Sequence, residues 1–457
     1  MDIGFETIGN ASVICYDRKP VLITDPWLEG NPYFGSWTLP YEIPEAQMEA
    51  AKLCEYVWVS HGHPDHLSVR SLRLLENAKI LIPDHVGGRI AEEMGGLGFN
   101  VTVLKSHQWT ELSPRVHVVS IPDYNQDAIL LIDLDGTLIV NLNDASPRGW
   151  GPFVRKTTSK YAKSFLLEQF GYGTTDMINF FDESGERIEP RAALRLPVGK
   201  TIALVAETFG VTHAIPFSSL QKYQRADSVW VNEYATPLEA YKEGFESNKC
   251  ELLPAFIKYD KLENEFEEIG PAKTPDTIVD PKEFGDDWSE TLEQKDVDRL
   301  NNYFQSVEYL GRVIDFINVR VGGEDNIVEL RGSKFNKGIV FEVPRRSLMR
   351  AIRYEAFDDL LIGNFMKTAL VGKWPQSMLY PDFTPYVTKY ADNGLAKTSA
   401  QLKEYFQEYR HRAPLDYLRH RIQLTAANAV RTHMNSRSKP YQLAQKAWWF
   451  ANKRISP

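Results

Sequence analysis

The stretch Ser60-His61-Gly62-His63-Pro64-Asp65-His66 gathers three of the protein's ten histidines and one carboxylate. These side chains hold borderline transition metals: neutral imidazole suits zinc, iron and similar ions, and a carboxylate adds charge neutralisation. Four such donors on so short a loop would crowd around one tetrahedral ion. Two ions relieve the crowding, with His61 and His63 taking one and Asp65 and His66 the other. The run before the loop, Tyr56-Val57-Trp58-Val59, is β-branched and aromatic and reads as a buried strand. Gly62 and Pro64 stop it and leave the donors at its carboxyl end, where helix-covered sheets bind ligands. A polar surface loop with histidines gathered by chance is the competing reading. The order of the donors, capping a strand, weighs against it.

The His-x-His-x-Asp-His order from His61 to His66 resembles the metallo-β-lactamase superfamily. That resemblance implies an αββα sandwich with a mono- or dinuclear metal site along one edge. It also implies further ligands. The apolar hairpin over 128–140 leads into Asn141-Leu142-Asn143-Asp144, where the superfamily carries a bridging aspartate, so Asp144 takes that role. A carboxylate there spans two cations and lowers their mutual repulsion. Asp65 and Asp144 are the expected catalytic carboxylates. The superfamily's third histidine falls at or beside Asp123, which is either an oxygen ligand or a turn aspartate. As a ligand it enriches the site in oxygen, and hard oxygen donors shift preference toward iron or manganese. The last ligand of the superfamily belongs just past Pro216, where this chain has Phe217 and Ser218, while His213 comes earlier. Either His213 substitutes, or the second metal has fewer ligands, or one metal binds.

The elements that must position these donors follow from periodicity and turn residues. Val21-Leu22-Ile23-Thr24 is a strand ending at Asp25-Pro26-Trp27, and the superfamily's second strand ends in Asp-Pro near the metals. Asp25 is either a strand terminator or a hydrogen-bond partner of a ligating imidazole. The aromatic loop after Trp27, rich in Gly and Pro, either lines a substrate pocket or packs over the sheet edge. Ser68 caps a helix to about Asn77, Ile80–Ile82 is a strand, and Val86–Met94 is another helix. Strands over 101–104 and 116–120 complete a βαβ rhythm. A helical segment at 202–206 and a strand near 211–217 follow.

These patterns predict an α/β fold: a metallo-β-lactamase αββα sandwich over 1–250, an acidic linker over 251–300, and a carboxyl-terminal domain over 301–457. In the last, strands near 314–321, 327–330 and 338–342 precede helices Arg345–Tyr354 and Phe357–Thr368, a pattern that resembles a sterol-carrier-like α/β module. A chain of 457 residues is long for a single core. The net charge of −9 opposes general binding to nucleic acid. Cys15, Cys54 and Cys250 form no CxxC pair, which argues against disulfide frameworks, zinc ribbons and cysteine-held clusters. The acidic amino terminus and the lack of a spanning apolar run make a cytoplasmic protein the expectation. Residues 401–457 carry 11 Lys/Arg against 3 Asp/Glu, with Trp448-Trp449-Phe450 near the end. Docking of these aromatics on the protein itself is favoured over membrane contact through 440–457.

Other stretches narrow the superfamily. Leu22-Ile23-Thr24-Asp25-Pro26-Trp27, Asn143-Asp144-Ala145-Ser146-Pro147-Arg148-Gly149, Ile215-Pro216-Phe217 and Phe357-Asp358-Asp359-Leu360-Leu361-Ile362-Gly363 resemble the catalytic region of the CMP-N-acetylneuraminate hydroxylase family. The Rieske iron–sulfur domain of that family has no counterpart here, since no Cys-x-His pair exists to hold its cluster. The resemblance implies an iron- and O₂-dependent hydroxylase of a small polar substrate, such as a nucleotide sugar. It also implies a separate, ferredoxin-like electron donor. Two divalent metals are expected, iron first, with zinc or manganese as alternatives. Arg148, with Arg155 and Lys156, either meets an anionic substrate or belongs to a solvated run. Asp25, Trp27, Arg148 and Ser218 are the expected outer or substrate-contacting residues. The competing activity is a zinc hydrolase cleaving an ester, lactone, amide or phosphodiester, the metals lowering the pKa of a water and polarising the substrate oxygen. A non-catalytic binding scaffold is the third class.

Overall fold

The structure is a computed structural model describing residues 1–425 apart from 124, 146–149, 172–177, 183, 191–192, 194–196, 331–334, 375–378, 380–381, 390–395, 416 and 423–424. Arg148 and the aromatic segment 440–457 lie outside the described residues.

Two sheets face each other. The first has the order Glu265–Glu268, Ile257–Asp260, Ile3–Ile8, Ser12–Asp17, Lys19–Thr24, Tyr56–Trp58, Lys79–Pro83 and Val101–Leu104. The second has the order Glu251–Leu252, His213–Phe217, Ser164–Gln169, Thr137–Asn143, Ala128–Leu134, Val116–Pro122 and Thr110–Ser113. Strand alternation divides each sheet between two cores. Leu130 and Ile132 point inward with Val118, Ile139, Phe165 and, from the opposite sheet, Val13, Cys15 and Trp58. Ile129 and Leu131 point outward, under Ile202, Ala206 and Phe209 of the helix Val198–Phe209. The outer face of the first sheet (Ile23, Val57, Ile80 and Ile82) is covered by Leu72, Ile90 and Met94 from helices Val69–Leu74 and Arg89–Gly96. The layers therefore run α, β, β, α, as expected.

Each sheet also has a parallel half. In the first, Lys19–Thr24, Tyr56–Trp58 and Lys79–Pro83 run parallel. In the second, Thr137–Asn143, Ser164–Gln169 and His213–Phe217 do so. Their carboxyl ends share one edge of the sandwich, and Trp58 Nε1 donates 3.2 Å across the interior to Ser120 Oγ.

Three expectations change. The acidic stretch expected as a linker begins with strands of the sandwich: Phe5 pairs with Tyr259, and Tyr259 with Phe266. Its acidic composition belongs to an exposed edge strand, Glu265–Glu268, where charge discourages further strand pairing. The helix expected over Phe357–Thr368 is only Asp358–Ile362, and Lys367–Val371 pairs antiparallel with Gly338–Glu342. Asn364, at φ 54°, turns the chain between them. The helix expected from Val86 starts at Arg89, because Gly87 and Gly88 hold left-handed backbone before it.

The carboxyl-terminal module is a five-stranded sheet in the order Phe180–Phe181, Lys367–Val371, Gly338–Glu342, Phe316–Val321 and Glu324–Glu329. Helices Gln294–Gln305 and Arg345–Tyr354 pack on it through Leu300, Phe304, Leu348 and Ala351. Its first strand comes from the amino-terminal half of the chain. Two further ties join the module to the sandwich. The fully buried Arg225 meets Asp227 at 2.9 Å and Asp286 at 2.8 Å, and Asp286 accepts from the Ser347 backbone at 2.9 Å. Trp27, Tyr33 and Trp37 pack with Tyr223, Val231 and Ile362. The aromatic loop after Trp27 thus seals the joint between sandwich and module. Among the described residues, no helix is long and apolar enough to cross a membrane.

Candidate metal centre

All four donors of the His61–His66 loop stand at the shared edge, at the carboxyl end of Tyr56–Trp58. His61, Asp65 and His66 are buried, and His63 keeps 21% of its side chain exposed. One nitrogen of each ring turns inward. His61 Nε2 and His63 Nδ1 are 2.9 Å apart. His66 Nε2 lies 3.1 Å from Asp65 Oδ2 and 3.6 Å from Asp144 Oδ2. Ligand atoms of His61, His66 and Asp144 fall within 4.8 Å of one another. This cluster takes one histidine from each of the two expected pairs, with Asp144 as its carboxylate.

The opposite nitrogens are turned toward outer partners. His61 Nδ1 lies 2.9 Å from Ser60 Oγ and 3.7 Å from Asp127 Oδ1. His66 Nδ1 lies 3.5 Å from Asp25 Oδ2, and His63 Nε2 lies 3.3 Å from Asp358 Oδ2. Asp25 is wholly buried and accepts from Ser60 N at 2.7 Å, Ser60 Oγ at 3.0 Å and Asn143 Nδ2 at 2.5 Å. It thereby joins both sheets behind the loop. Asp65 is fixed by Tyr33 Oη at 2.5 Å and Asn10 Nδ2 at 3.0 Å. Asn10 also accepts from the backbone of Ser218 at 2.8 Å and of Leu220 at 2.8 Å, and the Ser218 hydroxyl donates to Asp144. Asp25, Asn143 and Ser218 hold φ of 39°, 56° and 49°. Left-handed backbone at non-glycine residues is costly and clusters where geometry serves a site.

The electrostatics suit a cation. Burial holds the His61 pKa well below the usual histidine range, leaving a neutral imidazole with a free lone pair. Burial also pulls His66 down, but the carboxylates of Asp65 and Asp144 outweigh it and hold the ring well above its ordinary value. For Asp65, burial pushes upward, while His66 and the Tyr33 hydroxyl bring it below the ordinary carboxylate range. Both ring nitrogens of His66 are buried without a hydrogen-bond partner. A buried imidazole ringed by carboxylates at 3.1–3.6 Å, with neither nitrogen in a well-formed hydrogen bond, is an environment suited to a metal-ligating histidine. The residues present fit a metal.

Other expected site residues stand elsewhere. His213 begins the strand that Phe217 ends, stacks on Phe165 at 4.7 Å and bonds Thr212 Oγ1 at 2.8 Å. Four residues of extended chain separate it from Phe217, about 13 Å at strand rise. Asp123 Oδ1 accepts from the backbone of Asn125 at 2.7 Å and Asp127 at 3.1 Å, so it shapes the turn that delivers Asp127 to His61. Trp27 donates to the Gly30 carbonyl at 3.0 Å and packs in the aromatic joint. Sequence reasoning missed Asn10, Tyr33, Asp127 and Asp358, whose distance along the chain from the loop hides their role. For Asp127 the signal was its place between two aspartate-rich turns. Beside the loop, His85 Nε2 donates 2.9 Å to the Ser60 carbonyl. Its ring borders a cavity of about 590 Å³ lined also by Gly87, Arg89, Gln126, Tyr405 and Arg412.

A two-sheet sandwich with this loop at the shared edge has the metallo-β-lactamase fold. In sequence the chain is similar to the cytidine monophosphate-N-acetylneuraminic acid hydroxylase of Asterias rubens, 29% identical over 139 residues, covering 28% of this chain and 21% of that protein. It is equally similar to a putative Rieske 2Fe-2S iron-sulfur protein of Mycolicibacterium smegmatis, 29% identical over 161 residues, 31% of this chain and 29% of that protein. The chain thus matches less than a third of the length of either relative. Among solved structures it resembles a metallo hydrolase of Ignicoccus hospitalis (TM-score 0.37, 14% identity, 59% of this chain and 99% of that one). It also resembles CmlA, a diiron β-hydroxylase of Streptomyces venezuelae (TM-score 0.35, 12% identity, 56% of this chain and 54% of that one). No family model matches the chain.

Proposed function

We propose that this protein is an iron- and O₂-dependent hydroxylase acting on a small polar substrate, with electrons delivered by a separate ferredoxin-like protein. The observation that carries the reading is the donor set: three histidines mixed with the carboxylates of Asp65 and Asp144, with Ser218 rather than a further imidazole beside Asp144. Mixed imidazole and carboxylate donors suit non-haem iron, whose oxygenase sites commonly join two histidines to one carboxylate. Similarity to hydroxylases and to a Rieske protein supports the same direction. Bound iron would supply the activation of O₂.

The protein's own residues do the rest. His61 and His63 would hold one ion, Asp65 and His66 the other, with Asp144 between them. Asp25 and Ser60 hold the loop from behind, and the Ser218 hydroxyl fixes one oxygen of Asp144 so that the other faces His66. The cavity of about 590 Å³ beside His85 has the size of a small-molecule site, but it is lined by none of the five donors.

The alternative is a zinc hydrolase of an ester, lactone, amide or phosphodiester. The closeness of His61, His66 and Asp144 is compatible with it as well, because metal held there would polarise a substrate oxygen and acidify a water. Oxygen uptake by the iron-loaded protein with a ferredoxin and its reductase, against hydrolysis of ester and phosphodiester panels by the zinc-loaded protein, separates the two.

A further inference from the structure

Among the described residues, the carboxyl-terminal module meets the metal loop through Asp358. Asp358 opens the short helix Asp358–Ile362, whose neighbours Phe357, Leu360 and Leu361 are buried in the module's own core. Its side chain is 5% exposed, and its Oδ2 lies 3.3 Å from His63 Nε2. Its Oδ1 is buried without a hydrogen-bond partner. A buried carboxylate with one unsatisfied oxygen is costly unless something opposite holds it.

His63 offers the reason. Its Nδ1 faces His61 Nε2 at 2.9 Å on the side of the other donors, while its Nε2 faces the Asp358 carboxylate, which accepts a proton held there and leaves Nδ1 for a metal. The other two histidines of the loop are backed by the sandwich, His61 by Ser60 and His66 by Asp25. His63 is backed from the other module.

We propose that Asp358 is the positioning residue for His63, accepting its Nε2–H and so fixing the tautomer and ring plane that present Nδ1 to the metal. The module then completes a centre that the sandwich cannot finish alone. This rests on the metal-centre reading above.

The test is titration of the metal-free, full-length protein with cobalt(II), followed by its visible ligand-field absorption. The variants are Asp358→Asn, Asp358→Ala and Asp358→Glu. Asn keeps the shape but loses the charge, leaving at best a weaker amide acceptor, so folding is preserved. Asn and Ala should weaken one of the cobalt sites roughly 10- to 100-fold and alter its spectrum, while Glu recovers part of the affinity. Wild-type affinity and spectrum in both Asn and Ala variants would overturn the assignment. Absence of cobalt binding by the wild-type protein would instead bring down the metal-centre reading beneath it.

Discussion

His63 and Asp358 stand 3.3 Å apart, imidazole to carboxylate, although 295 positions separate them in the chain. The metal loop is therefore held from two sides, by the strand ends of the sandwich and by a module folded on its own core. This arrangement separates residues that bind metal from residues that support the fold, and each class has its own expected behaviour.

His63→Ala and Asp144→Ala should each remove metal and activity without unfolding the protein. Both side chains are partly exposed, at 21% and 18%, so truncation opens no large cavity. Metal per chain by elemental analysis, with a circular dichroism melt alongside, checks this. Full metal content in both variants contradicts the site.

His213→Ala should leave metal content untouched. The ring packs on Phe165 at the far end of its strand, so its loss should cost about 1–3 kcal/mol of stability and nothing more. A fall in metal stoichiometry would return His213 to the ligand set.

Asp25 is the opposite case. Its Ala variant strips acceptors from Ser60 N–H and the Asn143 amide, both buried, and should lose about 2–4 kcal/mol. It also releases His66 Nδ1, so metal affinity should drop roughly 10- to 100-fold. Denaturant melts and chelator competition measure the two effects separately. A stability loss with unchanged affinity would reduce Asp25 to a strand terminator.

Arg225→Met should cost about 3–5 kcal/mol, since it leaves the Asp286 carboxylate buried without its cation, held only by Ser347, at the joint between the two cores. Urea unfolding followed by tryptophan fluorescence reads this directly. A change below about 1 kcal/mol would show that the aromatic cluster alone secures the joint.

His85 gives a pH signature. Burial lowers its pKa from 6.5 to about 4, with the Ser60 carbonyl opposing the fall. The unfolded chain then binds the proton more tightly than the folded one. The stability that neutral His85 provides is fully present above about pH 6.5 and drains away as pH falls toward 4. Over that window the metal-free protein should lose about 3 kcal/mol that a His85→Asn variant keeps. Parallel pH profiles for the two proteins would rule this out.

The sandwich was legible in the sequence because its signals are local. Alternating apolar strands, a Ser68-capped helix and a six-residue donor loop each carry their meaning within a few positions. Asp144 was legible only through family likeness. What escaped is long-range. Asn10 and Asp358 reach the loop from 55 and 295 positions away; family likeness marked the stretch around Asp358, but no local pattern ties either residue to the histidines. The acidic strand Glu265–Glu268 passed for a linker because an exposed edge strand and a loop share a composition. The helix expected across Phe357–Thr368 failed at Gly363 and Asn364, where a turn overrides an apolar run.

The most direct test of the central claim is metal content by elemental analysis of protein purified without added metal, with its optical spectrum recorded under air. The proposed function predicts about two irons per chain and a ferric charge-transfer absorption that a reductant bleaches. Zinc alone with a colourless spectrum, or a protein that takes up no metal, would contradict it.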